Sequence, residues 1–361
     1  MTENLKNLLR SSVQGAPWPE ELRPTEEEWK AVFRDVKRQT LFGVTYPVIE
    51  NLESEVFPSR KLYCTWALAG EKVAAFSALA GRRAEELTRR LGAAGFRTCV
   101  LKGAGTAQYY PRPELRQSGD IDIWVDAPAQ EVLRYLGAAG VQTSEVCYHH
   151  CGARFFPDVN VEVHWRPSWM NSVVLNRRLQ RYFRREAPAN CRPAPEEGFN
   201  APGVEFAAVY CVVHIFRHLF FEGIGLRQFM DLHFILEALP ESGRPQVLRQ
   251  LEELGLGKFT AAAMWVLCEV FGTSEGSLLC SPDPVRGGRL LREIEQGGNF
   301  GHYSSGPKVR AEDGKMRRAR VRLGRLLRFA ADYPREFLAA PFFKAWQYLW
   351  RAVVAKERNN C

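Results

Sequence analysis

The sequence predicts an α+β protein: a small mixed-sheet core over residues 95–170, flanked by a helical N-terminal region over 1–94 and a helical C-terminal region over 171–361. Three observations carry this. The first 94 residues hold long helical stretches. Between 95 and 170 the texture changes to short β-branched and apolar runs, "FRTCVLKG", "DIDIWVD" and "VNVEVHW", each of strand length and bounded by Gly or Pro. Beyond about residue 200, apolar residues return at i, i+3 and i+4 in "EFAAVYCVVHIFRHLF" and "GLRQFMDLHFILEAL", the spacing of buried helix faces.

The elements follow in chain order. The stretch 25–52 opens with a capping box, Thr25 with Glu28, in which two backbone donors of the first turn find side-chain acceptors. A second long helix follows, with Gly95 as its stop. "FRTCVLKG" is the first strand and "AGTAQYY" a short helix ended by "PRP". "DIDIWVD" alternates acid and apolar residues, which puts Ile121, Ile123 and Val125 on one face. "APAQEVLRYLGAAG" is a helix with Pro128 near its first turn. "GARFFPDVNVEVHWRP" is a hairpin with a Pro-Asp turn, its second strand running from Val159 to Trp165. No internal repeat of convincing period is present.

Composition excludes several classes. Hydrophobic residues are 46% and charged residues 25%, ordinary for a globular protein. The start has no apolar segment of a secretory signal, and no apolar run is expected to reach the roughly 18 residues of a membrane helix. The cytoplasm is the expected location, with no membrane partner. The nine cysteines show no framework spacing and read as reduced. In "CYHHC", Cys147, His149, His150 and Cys151 match no standard zinc pattern and read as strand residues.

Net charge is +8. Much of the excess lies in "KMRRARVRLGRLLRF", with Arg317, Arg318, Arg320, Arg322, Arg325 and Arg328 and no acid. That helix reads first as a solvated face, and second as a nucleic-acid contact. "GGNFGHYSSGPKVRAEDGK" is either a lid or a long surface loop, and "PFFKAWQYLWRAVV" reads as helix core rather than a docking surface.

The chemistry concentrates between 100 and 165. Asp120 and Asp122 alternate with the apolar face of one strand and therefore point together. Two like charges so placed need a positive group between them. A divalent cation is the usual solution, since Mg²⁺ takes oxygen ligands from one or two carboxylates and from substrate phosphates. Glu162 joins them if "VNVEVHW" pairs beside "DIDIWVD". His164, beside Glu162, is expected to face away from it into the core. "LKGAG", with Lys102, Gly103, Ala104 and Gly105, is a Gly-rich turn before a helix, a shape that suits phosphate. Arg116 and Ser118 flank it as phosphate partners; Arg offers bidentate geometry and Lys a point charge. His214, Arg217 and His218 lie within about a turn, and Arg227 and Asp231 form an i, i+4 structural pair.

"VLKGAG", "LRQSGDIDIWV" and "VEVHWRP" together resemble a bacterial nucleotidyltransferase family of the polymerase-beta-like nucleotidyltransferase superfamily. The resemblance is firm over 95–170 and extends more weakly to about 240. It implies a metal-dependent nucleotidyltransferase that moves a nucleoside monophosphate from an NTP to an acceptor hydroxyl and releases pyrophosphate. It implies Mg²⁺ (or Mn²⁺) as cofactor. Asp120 and Asp122 match the family's metal-binding pair, Glu162 its third acid and Gly103 the first glycine of its triphosphate turn. Ala104 stands where Gly or Ser is usual. The acceptor is left open among small molecule, protein and RNA. The competing readings are an inactive nucleotide- or RNA-binding module on the same fold, and an interaction protein that docks a partner through its helical ends.

Overall fold

Thr25 accepts from the Glu28 amide at 3.3 Å and its own amide donates to the Glu28 carboxylate at 2.7 Å, so the capping box forms. The computed structural model describes residues 1–144, 146–194, 198–221, 223–298 and 323–359, with side chains as far as Arg351. The stretch expected as one helix after Thr25 breaks in two at Thr40, which takes a left-handed φ of 58°. It gives α2 (Glu26–Gln39) and α3 (Phe42–Glu50), after α1 (Glu3–Gln14). α4 (Arg60–Ala93) then runs 34 residues to the expected stop at Gly95, whose φ is +86°.

The core alternates as the sequence predicts. β1 (Thr98–Val100), α5 (Ala104–Ala107), β2 (Ile121–Val125), α6 (Ala129–Ala138), β3 (His150–Ala153) and β4 (Val161–His164) follow in order. The sheet order is β1-β2-β4-β3. β2 and β4 are parallel and the two outer pairs antiparallel, which makes the sheet mixed. Val100 and the odd-numbered residues of β2 and β4, among them Ile121, Ile123, Val161 and Val163, pack against α4 and α6. The even-numbered face of β2 turns toward the helical bundle, where Trp124 joins a second, larger apolar cluster. The chain is thus α+β, a small mixed sheet with helical flanks.

That larger cluster takes Leu5, Trp29 and Trp66 from the N-terminal helices. It takes others from α7 (Val173–Asn190), α8 (Val204–Phe221), α9 (Leu226–Ala238), α10 (Arg244–Glu253) and α11 (Gly257–Phe271). The two helical flanks therefore share one core. Ion pairs reinforce the junction, Lys6 to Glu269 at 2.5 Å and the N-terminal amine to Glu295 at 2.6 Å. α8 corrects one expectation. Its 18 residues are long and apolar enough to cross a membrane, but most of it is buried inside the protein. Glu205, His214, Arg217 and His218 break up the apolar run and hide its length in the sequence.

The C-terminal helix Pro334–Asn359 is anchored by Glu336, 2% exposed. Its carboxylate accepts from Arg217 at 3.0 Å and from the amides of Asn171 and Ser172 at 2.8 and 2.9 Å. Farther along, the helix departs from the core reading: Phe342 is 76% and Leu349 70% exposed. Among its described residues, Phe343, Trp346 and Trp350 pack against Tyr148. Glu336→Gln keeps the shape and removes the charge. It is expected to cost about 1.5–3 kcal/mol, the worth of hydrogen bonds to a charged group, read as a lower denaturant midpoint at unchanged slope. An unchanged midpoint would show that the anchor contributes nothing.

None of the described cysteines forms a disulfide with another described residue. Of the basic run, Arg317, Arg318, Arg320 and Arg322 lie outside the described residues, as do residues 299–315 of the Gly-rich segment. Arg325 and Arg328 both pair with Glu293.

Candidate active site

β1 ends at Val100, and the chain turns through Lys102 and Gly103 into α5. Two glycines make this turn. Gly103 has φ +68° and ψ −119°, a conformation L side chains rarely adopt. At Gly105 a Cβ would sit 1.9 Å from the Val100 carbonyl oxygen, so helix and strand touch because no side chain separates them. Gly105 is thus used for packing, and Ala104 between them is the first residue of the helix.

Parallel pairing sets Asp122 opposite Glu162 in register. Asp122 is 1% exposed, a carboxylate that has to be compensated. Lys102 and His164 do this. Lys102 Nζ lies 3.0 Å from Asp122 Oδ2 and 3.8 Å from Asp120 Oδ1, so one ammonium spans both aspartates. His164 Nε2 lies 3.0 Å from Asp122 Oδ1 and 3.4 Å from Glu162 Oε2. His164 therefore does not face away from Glu162: residues two apart in a strand share a face, and the spacing Glu162-x-His164 carried that signal.

β3 adds a residue that the motif reading set aside. Antiparallel pairing puts His150 opposite His164 and Gly152 opposite Glu162. His150 Nε2 comes within 3.6 Å of Glu162 Oε2. His149 contacts His150 across a 2.6 Å Nε2–Nδ1 gap and lies against the Trp169 ring. Cys151 goes to the opposite face, into the core against α4 and α6. Of "CYHHC", His150 and Cys151 lie in the strand, and His149 precedes it.

The charges are strongly coupled. Burial disfavours the His164 imidazolium, but its hydrogen bonds to Asp122 and Glu162 outweigh this and raise its pKa to about 9. Burial would raise Glu162, but the His164 hydrogen bond and the charges of His150, His164 and Lys102 hold it at about 2. Burial and the neighbouring His164 push His150 down to about 4. The Lys102 ammonium is favoured by Asp122, Asp120 and Glu162 against the cost of burial. One ligand atom each from Asp122, Glu162 and His164 lies within 4.8 Å of the others, and so does one each from His149, His150 and His164. Two buried or half-buried carboxylates and an imidazole so grouped fit a divalent cation.

Arg116 and Ser118 stand apart from this cluster. Arg116 is 4% exposed and holds Asp231 in bidentate fashion at 2.8 and 2.7 Å, with Tyr110 donating to the same carboxylate at 2.6 Å. Its remaining edge reaches Ser118 Oγ at 3.3 Å. Arg227 donates to the Gln117 carbonyl at 2.8 Å. The i, i+4 pairing read from the helix alone thus gives way to a tertiary one, in which α9 clamps the loop leading to Asp120. A cleft of about 550 Å³, part of it open solvent, runs between the two; Lys102, Gly103, Asp120, Tyr210, His214 and Arg227 line it. Tyr210 and His214 come from α8, one helical turn apart. Arg217 points elsewhere, stacked on Trp169 and paired with Glu336.

Residues 25–272 match the model of a family described as uncharacterised nucleotidyltransferase. No curated protein and no solved structure matches the chain.

Proposed function

The chain belongs to this nucleotidyltransferase family, and we propose that it is a metal-dependent enzyme that moves a nucleoside monophosphate from an NTP to an acceptor hydroxyl and releases pyrophosphate. The register of Asp122 against Glu162, beside Lys102 and the Gly103 turn, carries the proposal. Acids from two adjacent strands with a phosphate-sized Gly turn are what the polymerase-beta-like superfamily uses, and the reading places the chain there. In it, residues 95–170 form the catalytic core and the flanking helices close the cleft.

Each residue then has a task. Asp120, Asp122 and Glu162 hold Mg²⁺ or Mn²⁺. When bound, such a cation withdraws charge from the phosphates and lowers the pKa of the attacking hydroxyl. Lys102 faces the phosphates with a point charge that survives burial. Gly103 keeps side-chain bulk off the turn, so the NTP chain can approach the backbone. Arg116 and Asp231 fix the loop carrying Ser118 and Asp120, and Arg116 reaches phosphate only through the edge it turns to Ser118. Tyr210 and His214 wall the cleft on the side left for base or acceptor.

One observation favours an inactive binding module instead: Lys102 and His164 already neutralise the acids without a cation. Incubation with each labelled NTP and Mg²⁺ or Mn²⁺ decides between them. Metal-dependent pyrophosphate release is expected, with mass spectrometry locating the transferred nucleotide on added acceptors or on the protein itself. NTP binding without release from any NTP would favour the module. Glu162→Gln is expected to bind NTP nearly as the wild type does and to transfer it roughly a hundred-fold more slowly. A normal melting temperature together with normal turnover would remove Glu162 from the chemistry.

A further inference from the structure

The C-terminal helix Pro334–Asn359 has two unlike faces. At about 100° per residue, Glu336, Phe343 and Trp350 fall on one side, and these residues hold the helix to the protein. Leu338, Phe342, Ala345 and Leu349 fall on the opposite side, at the i, i+4, i+7, i+11 spacing of a single stripe. Leu338 is 64% exposed, Phe342 76% and Leu349 70%, and Trp346 and Tyr348 flank them. A contiguous exposed apolar stripe of this kind marks an interaction surface.

The charges beside the stripe are basic. Arg335 and Lys344 are exposed, and the one acid among residues 335–351, Glu336, is buried in its ion pair with Arg217. α7 begins where this helix begins, since the Asn171 and Ser172 amides donate to Glu336. Its first turn exposes two more apolar side chains, Val173 and Val174. Arg177, Arg181 and Arg184 follow at i, i+4 and i+7, all exposed on one face. Arg178 and Arg185 have partners in the Glu253 carbonyl and in Glu186. Arg177, Arg181 and Arg184 form no ion pair with another described residue.

Apolar side chains edged by unpaired cations select their occupant. A second copy of the chain would set its own arginines against these. The segment 299–322 is itself basic and would do the same. A nucleic acid would satisfy the arginines and leave Leu338, Phe342 and Leu349 in water. An anionic lipid surface satisfies both: acyl chains take the apolar face, with Trp and Tyr at headgroup level, and the phosphates accept from the guanidinium groups. The helix can only lie on such a surface, because its other face packs against Tyr148.

We propose that the exposed face of the C-terminal helix, together with the first turn and arginine row of α7, docks on an anionic lipid surface. This peripheral contact departs from the expectation of no membrane partner and does not depend on the catalytic reading.

The full chain is sedimented with vesicles of phosphatidylcholine, alone or mixed with phosphatidylglycerol. Binding to the anionic vesicles is expected to be roughly ten-fold tighter or more, and weaker at high salt. Phe342→Ser with Leu349→Ser is expected to weaken it by roughly ten-fold at an unchanged melting temperature, since both side chains are exposed. Arg177→Gln, Arg181→Gln and Arg184→Gln together are expected to remove most of the anionic preference; a preference left intact overturns the part given to α7. Failure of the wild type to bind anionic vesicles overturns the proposal, and so does binding that the two serine substitutions leave unchanged. Two further results would overturn it by naming another occupant. One is a wild-type dimer, seen by sedimentation velocity, that the serine variant dissociates. The other is RNA that binds the chain more tightly than anionic vesicles and displaces them.

Discussion

Asp122→Asn is expected to abolish metal-dependent NTP binding and to reduce nucleotide transfer about a thousand-fold, roughly 4 kcal/mol of barrier. The size follows from position. Asp122 is the one acid that touches both compensating groups, Lys102 through Oδ2 and His164 through Oδ1. It is also the most deeply buried of the three acids. The amide keeps the shape and removes the charge that would bind a cation. Removing clustered negative charge relieves repulsion from Asp120 and Glu162, but it also leaves Lys102 and His164 facing a neutral group at a site 1% exposed. The variant is therefore expected to melt somewhat lower than the wild type, not higher. Calorimetry with Mn²⁺ and ATP, GTP, CTP and UTP, beside a pyrophosphate assay and thermal unfolding, separates the effects. A folded Asp122→Asn protein that retains metal-dependent binding and turnover would place the site elsewhere.

The second large effect falls on stability. Asp231→Ala is expected to cost about 3–5 kcal/mol, because it strands a buried charge. Arg116 is 4% exposed and donates to this carboxylate through Nε and Nη2, and the Tyr110 hydroxyl donates to it as well. Truncation removes the carboxylate that both the guanidinium and the phenol donate to, and leaves Arg116 its 3.3 Å contact with Ser118 Oγ. Replacing the pair by apolar residues of similar size, Arg116→Met with Asp231→Leu, is expected to recover much of the loss, since well-packed apolar groups often match a buried ion pair. Urea unfolding of the two single variants and the double variant gives the coupling energy directly. The outcome also decides what Arg116 does. If Asp231→Ala unfolds at the wild-type midpoint while NTP binding falls, Arg116 is a phosphate ligand and its bond to Asp231 is incidental.

Much of the candidate site was legible because it is local. "DIDIWVD" declares its alternation, and alternation alone says that Asp120 and Asp122 share a face opposite Ile121 and Ile123. "LKGAG" declares a turn, and the structure puts φ +68° at the glycine that was singled out. The capping box at Thr25 and the stop at Gly95 are equally local, each settled by the backbone bonds or the φ of a few consecutive residues. The same rule of two also applied to Glu162 and His164, where the expectation ran the wrong way although period 2 sufficed to correct it.

Other features were not legible, because they depend on which strand lies beside which. His150 reaches Glu162 only because β3 pairs antiparallel to β4 with His150 opposite His164; a shift of one residue would turn it into the core. Arg116 finds Asp231 across 115 residues of chain, and no spacing in the sequence distinguishes that partner from Arg227, four positions from Asp231 on the same helix. The exposure of Phe342 and Leu349 depends on how far one helix stands off the bundle, which an apolar pattern does not encode. By itself the sequence determined the element types, the glycine turn and the acid-bearing face, since these follow from backbone sterics and side-chain period over a few residues. Tertiary structure alone decided which cations compensate Asp122, that histidines surround Glu162, and that Arg116 serves Asp231, since each is a contact between side chains whose distance is fixed by packing rather than by the chain that joins them.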